Sequence, residues 1–477
     1  MSVAKHFIGG EWVEGLLTAR ESFNPANGES LGKYSPGDAS LANEAIGHAR
    51  RVFDEGSWAA SPRLRAVALF ELADQLEARR EELIDLIVAE NGKLRSEAIG
   101  EMIGAVSETR YYAGLARNIF GRTFESAPGN ISLLHREPAG VAAVIVPWNA
   151  PVTLLIRSLA PALAAGCTAV IKPAPQVPMV HAVVMECIAA CASFPIGCIN
   201  SVNEDGSTVG EALVASKDVD VISFTGSSAT GRRIMEGASS TLKRLSLELG
   251  GKAPAVVFAD ADIDKAVGEL LHGSLVMAGQ ICVAATRFIV HDSVYNEFST
   301  KMAAAYKGIN TGPGNLATSQ MGSLIDKENQ TRLEGIIEQA GDEGNLIVKG
   351  ERLDGEGAFI TPTLFEIDNL DSSLVQEELF GPIASLEKFS DETEAVHMAN
   401  ATRYGLAASV FTNDLNRATR VSRAIRSGTV WLNCHTRLFA EGETGGYRQS
   451  GLGRLHGLEG LNDFLETKHV YFEAGSI

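Results

Sequence analysis

A helical repeat of apolar positions follows Ser61-Pro62. Its members are Leu64, Ala68, Leu72 and Leu76, with Arg and Glu residues between them. A recurrence every four residues is typical of an amphipathic helix. Because a serine hydroxyl caps free backbone N–H groups and proline suits the first helical position, we expect this helix to begin at Pro62.

Short β-rich runs alternate with helical stretches from about residue 139 onward. The runs of this first series are residues 141–146, 169–172, 221–225 and 255–258. A second series follows residue 282, with strands near 288–290, 346–348 and 428–433 and a helix near 294–306. The alternation predicts two α/β domains, each with a parallel sheet covered by helices.

Two further segments fit neither series. Residues 119–138 contain the turn Pro128-Gly129-Asn130 between mixed apolar and polar runs, which predicts a β-hairpin. Residues 467–473 form another strand-like run. Since exposed strand edges are usually paired or covered, we expect both segments to find partners.

Composition and charge restrict the class of protein. The chain has 477 residues, 45% hydrophobic and 21% charged, which suits a globular enzyme of two or three domains. Its net charge of −18 argues against nucleic acid or an anionic membrane as a partner. No apolar run reaches the length of a bilayer span and no signal peptide is visible, so we expect a cytoplasmic protein.

Three of the six cysteines lie close together, which raises the possibility of a metal site. Cys187 and Cys191 have helical spacing in an apolar stretch, and Cys198 follows shortly after. No histidine stands at the spacing that zinc sites use. We therefore expect buried, reduced thiols and no bound metal.

The strongest chemical signal comes from three separate segments. These are Pro147-Trp148-Asn149, Leu247-Glu248-Leu249-Gly250-Gly251-Lys252 and Gly279-Gln280-Ile281-Cys282. A thiol, a carboxylate and an amide donor are the groups needed to attack a carbonyl, hold its oxyanion and hydrolyse a thioester. With the N-terminal run Phe7-Ile8-Gly9-Gly10-Glu11-Trp12 and the later Gly445-Gly446-Tyr447-Arg448-Gln449-Ser450-Gly451, the chain resembles the NAD(P)-dependent aldehyde dehydrogenase superfamily nearly end to end.

The resemblance implies a fold and a division of the chain. The fold is α/β and aldehyde dehydrogenase-like, with two doubly wound parallel-sheet domains plus a β oligomerisation arm. Residues 1–118 and 139–250 would form the dinucleotide-binding domain, and residues 251–446 the catalytic domain with the nucleophile. Residues 119–138 and 463–477 would form the arm that joins subunits into a homodimer or homotetramer.

The resemblance also assigns the catalytic residues. Cys282 would attack the aldehyde to give a thiohemiacetal, whose oxyanion the Asn149 amide and the Cys282 N–H would hold. Loss of hydride to the nicotinamide would leave a thioester. Glu248 would activate the water that hydrolyses it, and its apolar neighbours would raise its pKa if it is buried.

NAD or NADP is the cofactor that the resemblance implies. The residues that match its cofactor positions are Trp148, Lys172, Gly226, Ser227, Gly231, Glu378 and Phe380. The stretch around Gly226 follows a strand and opens a helix, which suits a pyrophosphate but also fits a plain strand-to-helix turn. Many NAD-preferring members carry a ribose-binding glutamate where this chain has Pro175, so NADP is expected to be tolerated.

The expected substrate is an aldehyde that is bulky, aromatic or carries an anionic group. The residues that match the family's substrate positions are Ala150, Leu154, Arg157, Ile281, Val283, Phe439 and Thr444. Ala150 and Thr444 stand where many members have aromatic residues, which predicts a wider pocket. Arg157, two helical turns beyond Asn149, either grips an anionic substrate or makes an ion pair between helices.

Two alternatives remain beside this interpretation. A CoA-acylating dehydrogenase would release its product to CoA, but members of that kind lack the glutamate base, so Glu248 argues against it. A non-catalytic structural protein on the same fold is the other alternative. The presence of Cys282, Glu248 and Asn149 together argues against that one.

Overall fold

The computed structural model describes residues 3–15 and 17–474. Its α-helices are α1 Ala39–Glu55, α2 Ser57–Ala60, α3 Pro62–Ala78, α4 Arg80–Asn91, α5 Arg95–Leu115, α6 Pro151–Ala165, α7 Pro178–Ala189, α8 Thr208–Ala215, α9 Ser228–Ala238, α10 Ile263–Leu275, α11 Asp292–Lys307, α12 Lys327–Gln339, α13 Ser373–Gln376, α14 Glu392–Ala399 and α15 Leu415–Ala424. Its strands are β1 Val3–Ala4, β2 His6–Ile8, β3 Glu11–Val13, β4 Arg20–Phe23, β5 Ser30–Tyr34, β6 Arg122–Ala127, β7 Asn130–Pro138, β8 Val141–Ile145, β9 Thr168–Lys172, β10 Ile199–Ser201, β11 Val221–Thr225, β12 Arg244–Glu248, β13 Ala253–Val257, β14 Ala285–His291, β15 Asn345–Val348, β16 Thr363–Glu366, β17 Ile383–Phe389, β18 Ala407–Phe411, β19 Thr429–Leu432, β20 Gly451–Leu452 and β21 Leu465–Phe472.

The first large sheet has the strand order β20-β12-β11-β8-β9-β10-β2-β3. Its central strands β12, β11, β8, β9 and β10 are parallel, and antiparallel strands border them on each side. The chain moves outward from β8 through β9 to β10 and then returns to the other side of β8 with β11 and β12. This reversal creates a crevice at the carboxyl ends of β8 and β11, where open α/β sheets bind ligands.

Helices cover both faces of this sheet because its strands are apolar on both sides. Ala142 and Val144 of β8 point into one core with residues of α3 to α7. Val141 and Ala143 of the same strand point into the other core, with residues of α1, α8 and α9. Strands that are buried on both faces are the mark of a doubly wound parallel sheet.

The second large sheet repeats this arrangement. Its order is β15-β16-β17-β14-β13-β18-β19, and its strands are parallel except for β15. Ala255 and Val257 of β13 face one core, while Val256 faces the other. The two sheets together confirm the predicted fold class, and the short link between β12 and β13 joins them.

A separate three-stranded sheet contains the two segments that fitted neither series. Strand β7 lies between β6 and β21, and both pairings are antiparallel. The hairpin turn and the strand-like tail are therefore confirmed as elements. Residues 475–477 of the predicted arm lie outside the described residues, and the role of the arm in assembly stays a prediction, as does the division of the chain into domains.

Local expectations agree with the structure to within a few residues. Helix α3 begins at Pro62, and the Ser61 hydroxyl accepts the N–H of Leu64. The predicted strand 221–225 coincides with β11, and 255–258 lies at the end of β13. A search of the described helices finds none whose length and apolar character would allow it to cross a membrane.

Candidate active site

The three predicted catalytic side chains line one cavity of about 320 Å³. Glu248 ends β12 of the first sheet, and Asn149 lies in the turn between β8 and α6. Cys282 lies in the loop that leads into β14 of the second sheet. The cavity thus brings together residues from both sheets at the crevice that the topology of the first sheet creates.

The loop that carries Cys282 is held in an unusual backbone conformation. Met277 and Ala278 both have positive φ, 52° and 54°. Such conformations cost free energy in residues other than glycine and persist only where the surroundings fix them. The Met277 N–H donates to Glu97 at 2.6 Å, and the side chain of Gln280 donates to the Met277 carbonyl at 3.1 Å.

The environment of the Cys282 thiol favours its neutral form. Burial raises the pKa of Cys282 to about 12, and the negative charge of Glu248 adds to the shift. The thiol is therefore protonated near neutral pH, and its proton must leave when sulfur forms a bond. Cys187, Cys191 and Cys198 are buried free thiols, as predicted, whereas Cys282 is only partly buried.

The Asn149 side chain is tied to the cysteine loop. Its Nδ2 donates to the Gln280 carbonyl at 2.9 Å, and a side-chain amide nitrogen has one further N–H to offer. Its backbone carbonyl accepts from Lys93 Nζ at 2.7 Å. Asn149 is only 5% exposed, so the amide is held in place beside the nucleophile candidate.

Three charged residues around the start of α5, Lys93, Glu97 and Glu101, contact both the Asn149 turn and the Cys282 loop. We call these residues the α5 anchor. Lys93 Nζ lies 2.6 Å from Glu101 Oε2, and both side chains are buried. Glu101 also accepts the N–H of Val152 at 2.8 Å, in the first turn of α6. With the bond from Met277 to Glu97, the α5 anchor fixes the Asn149 turn and the Cys282 loop relative to each other.

Glu248 has the properties of a general base. It is 3% exposed, and burial raises its pKa, while the positive charges of Arg157 and Arg454 oppose that rise. A carboxylate with a raised pKa holds a proton more readily near neutral pH than a solvated one. Glu248 thus meets the condition, burial, under which the sequence predicted a raised pKa.

A second cavity of about 560 Å³ adjoins the first and contains Lys172 and Pro175. The two cavities share Pro147, Thr225 and Gly226. Together they form a long groove across the carboxyl ends of β8, β9 and β11. Its place at the reversal of strand order is where dinucleotides bind in open α/β sheets.

Helix α9 starts at the junction of the two cavities. The Ser227 hydroxyl caps it by accepting the Thr230 N–H at 3.2 Å, and Gly226 lies between the cavities. The first turn of a helix offers free N–H groups and a favourable dipole to an anion. A Cβ on Gly231 would lie 2.6 Å from the Leu249 side chain, so Gly231 allows α9 to pack closely.

The end of the groove near Cys282 contains Glu378, Phe380 and Trp148. Glu378 accepts the Gly251 N–H at 3.1 Å, and burial raises the pKa of Glu378 to about 7. The Phe380 ring meets Trp148 edge-on, with centroids 5.6 Å apart, and the Phe380 backbone has a φ of 53°. A strained aromatic residue in a cavity wall is a common feature of ligand sites.

The residues expected to contact substrate divide into two groups. Leu154 lines the cavity with Cys282, and Ile281 and Val283 flank the cysteine in the chain. Ala150, Phe439 and Thr444 lie outside the described walls of both cavities. Phe439 is 60% exposed, and the backbone of Thr444 pairs with that of Leu455.

Arg157 is buried behind the cavity wall. It is 5% exposed and donates from Nη2 to the Thr225 hydroxyl at 3.3 Å. Its charge lowers the pKa of both Glu248 and Cys282, although burial of each group outweighs this effect. Arg157 therefore does not line the cavity, and its positive charge opposes the rise in the pKa of Glu248 and of Cys282.

Several wall residues were not predicted from the sequence, among them Asn329, Arg332 and Glu204. Asn329 and Arg332, one helical turn apart on α12, line the cavity with Cys282, and Arg332 also donates to the Leu379 carbonyl. Glu204 lines the second cavity beside Lys172. No local pattern marks these residues, because each reaches its cavity through the packing of distant segments.

Known proteins resemble the chain along nearly its whole length. Residues 12–470 match the sequence model of the Aldehyde dehydrogenase family. Betaine aldehyde dehydrogenase of Bacillus subtilis (strain 168) is 39% identical over 473 residues, which cover 98% of this chain and 96% of that protein. Aldehyde dehydrogenase 1 of Tanacetum cinerariifolium is 40% identical over 474 residues, with coverage of 98% and 94%.

Solved structures match the fold as closely. A crystal structure of betaine aldehyde dehydrogenase from Staphylococcus aureus in complex with NAD+ superposes with a TM-score of 0.97 at 36% identity, covering 99% of this chain and 96% of that one. A point mutant of the same enzyme, with NAD+ and a BME-modified cysteine, gives a TM-score of 0.97 at 37% identity and covers 99% and 97%.

The raised pKa of Cys282 predicts the pH profile of its alkylation. Iodoacetamide should label Cys282 in the free protein at a rate that rises about tenfold per pH unit between roughly pH 7 and 9, because only the thiolate reacts. Glu248→Gln removes a negative charge that opposes the thiolate, so labelling should be faster at each pH. Peptide mass spectrometry measures both rates, with Cys434→Ala as the control for the other partly exposed thiol. A plateau near neutral pH would contradict the assignment.

Proposed function

The chain belongs to the aldehyde dehydrogenase family, and we propose that it oxidises its aldehyde to a carboxylate through a thioester on Cys282, with NAD or NADP as the oxidant. One observation carries the proposal: Cys282, Glu248 and Asn149 line one cavity, which joins a second cavity at the carboxyl ends of the parallel strands. No single motif in the sequence is as specific as this arrangement.

The first step is attack of the Cys282 sulfur on the aldehyde carbon. Because the pKa of the thiol is about 12, its proton must leave for solvent as the C–S bond forms. The carbonyl oxygen gains the negative charge. The free N–H of the Asn149 amide and the backbone N–H of Cys282 would stabilise it.

The groove residues would orient the cofactor for the second step. The bound nicotinamide supplies the hydride acceptor. Glu378, Phe380 and Trp148 would hold that end of the cofactor, and Lys172, Gly226 and Ser227 the other parts. Collapse of the tetrahedral oxyanion would restore a C=O bond as the aldehydic hydrogen leaves with its electron pair as hydride, and Cys282 would be left as a thioester.

Hydrolysis of the thioester completes the cycle. Glu248 removes a proton from water as the water oxygen attacks the acyl carbon. The C–S bond breaks, the carboxylate leaves and Cys282 is regenerated. The buried position of Glu248 supports this role, because its raised pKa suits a base that works near neutral pH.

For the substrate, we propose an aldehyde with a bulky or aromatic body. Ala150 and Thr444 are small where many family members carry aromatic residues, which would leave room for substrate beyond the walls of the two described cavities. Arg157 donates to Thr225 behind the wall, so an anionic substrate has less support than a bulky one. Two relatives are named for betaine aldehyde, which is consistent with a substrate larger than a short aliphatic aldehyde.

We also propose that the chain forms a homodimer or homotetramer through the β6, β7 and β21 sheet. Strand β6 is exposed along its whole length and lies at the edge of that sheet. Phe124 of β6 and Tyr471 and Phe472 of β21 are exposed apolar side chains on the same sheet. An exposed edge strand with apolar side chains is a natural site for pairing with a second chain.

Replacement of the proposed base should separate the two halves of the reaction. Glu248→Gln should slow hydrolysis by at least about tenfold and hydride transfer less, so stopped-flow absorbance should record a burst of NAD(P)H before a slow steady state. Cys282→Ala is the matched control and should give neither burst nor turnover while still binding cofactor. Unchanged steady-state turnover in Glu248→Gln would mean that another base activates the hydrolytic water. Formation of acyl-CoA by the wild type with added CoA would favour the CoA-acylating alternative.

Pocket width should decide the choice among uncharged aldehydes. Thr444→Phe should lower kcat/KM for ring-bearing aldehydes and spare or improve that for short aliphatic ones, because the aromatic side chain would take up the room that Thr444 is proposed to leave. Thr444→Val, which keeps the size of threonine, is the matched control. A panel of aldehydes read by NAD(P)H absorbance gives the ratio, and an unchanged ratio in Thr444→Phe would remove Thr444 from the pocket.

A further inference from the structure

The second cavity contains a buried carboxylate that the reaction does not use. We propose that Glu204 makes the enzyme prefer NAD by occupying the position that the 2′-phosphate of NADP requires. The proposal rests on the proposed cofactor site around Lys172. It concerns only the adenosine end of the groove, far along the chain from the catalytic cysteine.

Glu204 is held by donors from strand β9 and helix α8. It follows the end of β10 by three residues, and Lys172 ends the adjacent parallel strand β9. Glu204 Oε1 lies 3.0 Å from Lys172 Nζ. Glu204 Oε2 accepts the Val209 N–H at 2.7 Å, and the Gly210 N–H lies 3.4 Å from the same oxygen.

This set of donors is suited to an anionic group. An ammonium group and the N–H groups of the first turn of α8 combine charge with the favourable end of a helix dipole. Glu204, only 3% exposed, already accepts hydrogen bonds from these donors. A 2′-phosphate placed beside Lys172 would compete for the same hydrogen bonds and meet a carboxylate of like charge.

The same carboxylate suits an unmodified ribose. An acidic side chain at the adenosine end of a dinucleotide site accepts hydrogen bonds from ribose hydroxyls. Pro175 has no carboxylate to offer, and from Pro175 alone NADP is expected to be tolerated. Glu204 would supply the missing carboxylate from the loop after β10, so NAD is expected to be preferred over NADP.

The neighbouring acid provides a natural comparison. Asp205 is exposed and pairs with Arg20 at 2.7 Å, whereas Glu204 is the buried partner of Lys172. A variant of Asp205 changes the net charge of the loop by the same amount as a variant of Glu204. Only the Glu204 variant frees the donors around Lys172.

Cofactor preference in five variants tests the proposal. The variants are Glu204→Ser, Glu204→Gln, Asp205→Asn, Lys172→Met and the double variant Lys172→Met/Glu204→Ser. The readouts are kcat/KM for NAD and NADP at saturating aldehyde and NADPH affinity by fluorescence titration. Glu204→Ser should raise the NADP-to-NAD ratio by at least about tenfold, because like charges in contact disfavour binding strongly. The near-isosteric Glu204→Gln should shift the ratio in the same direction.

The controls distinguish charge from position. Asp205→Asn should leave the ratio unchanged, and the double variant should lose the gain in NADP use, because the phosphate would then lack its ammonium partner. An unchanged ratio in folded Glu204→Ser and Glu204→Gln, or an equal shift in Asp205→Asn, would overturn the proposal. Lys172→Met alone tests the underlying cofactor site. If this variant weakens the binding of neither NAD nor NADP, the placement of the cofactor is wrong. If it weakens the binding of both while the Glu204 variants change nothing, only the role of Glu204 is wrong.

Discussion

The buried pair of Lys93 and Glu101 is the interaction on which the geometry of the site depends. Burying two charges is costly unless further hydrogen bonds satisfy them. Here Lys93 also donates to the Asn149 carbonyl, and Glu101 accepts the Val152 N–H. The charges are therefore satisfied by the same groups that place the oxyanion donor. Loss of either partner would leave a buried charge without its counterion and release the Asn149 turn.

Close contact between the two sheets imposes the second constraint. The groove belongs to the first sheet, whereas the thiol belongs to the second, and Gly250-Gly251 links them. A Cβ on Gly250 would lie 2.3 Å from Glu378, and a Cβ on Gly251 would lie 2.4 Å from the Cys282 carbonyl. The glycine pair thus lets the nucleophile candidate approach the end of the groove that contains Glu378 and Phe380.

The sequence predicted what short-range patterns encode. Periodicity identified α3 and β11, and the runs around Cys282, Glu248 and Asn149 indicated a shared chemistry that the cavity brings together. It did not reveal the α5 anchor, because a lysine before a helix resembles any solvated charge until tertiary packing buries it. Glu204 escaped notice for the same reason: its partner Lys172 is distant in sequence, and adjacent parallel strands bring the two together.

The central claim is that Cys282 carries the acyl group during turnover. Acid quenching of the enzyme in its steady state, followed by proteolysis and peptide mass spectrometry, locates that group directly. The account predicts an added mass equal to the acyl group of the supplied aldehyde on the peptide that contains Cys282, and a larger fraction of it when hydrolysis is slowed. An acyl group on another residue, or turnover with an unmodified Cys282 peptide at every quench time, would contradict the account.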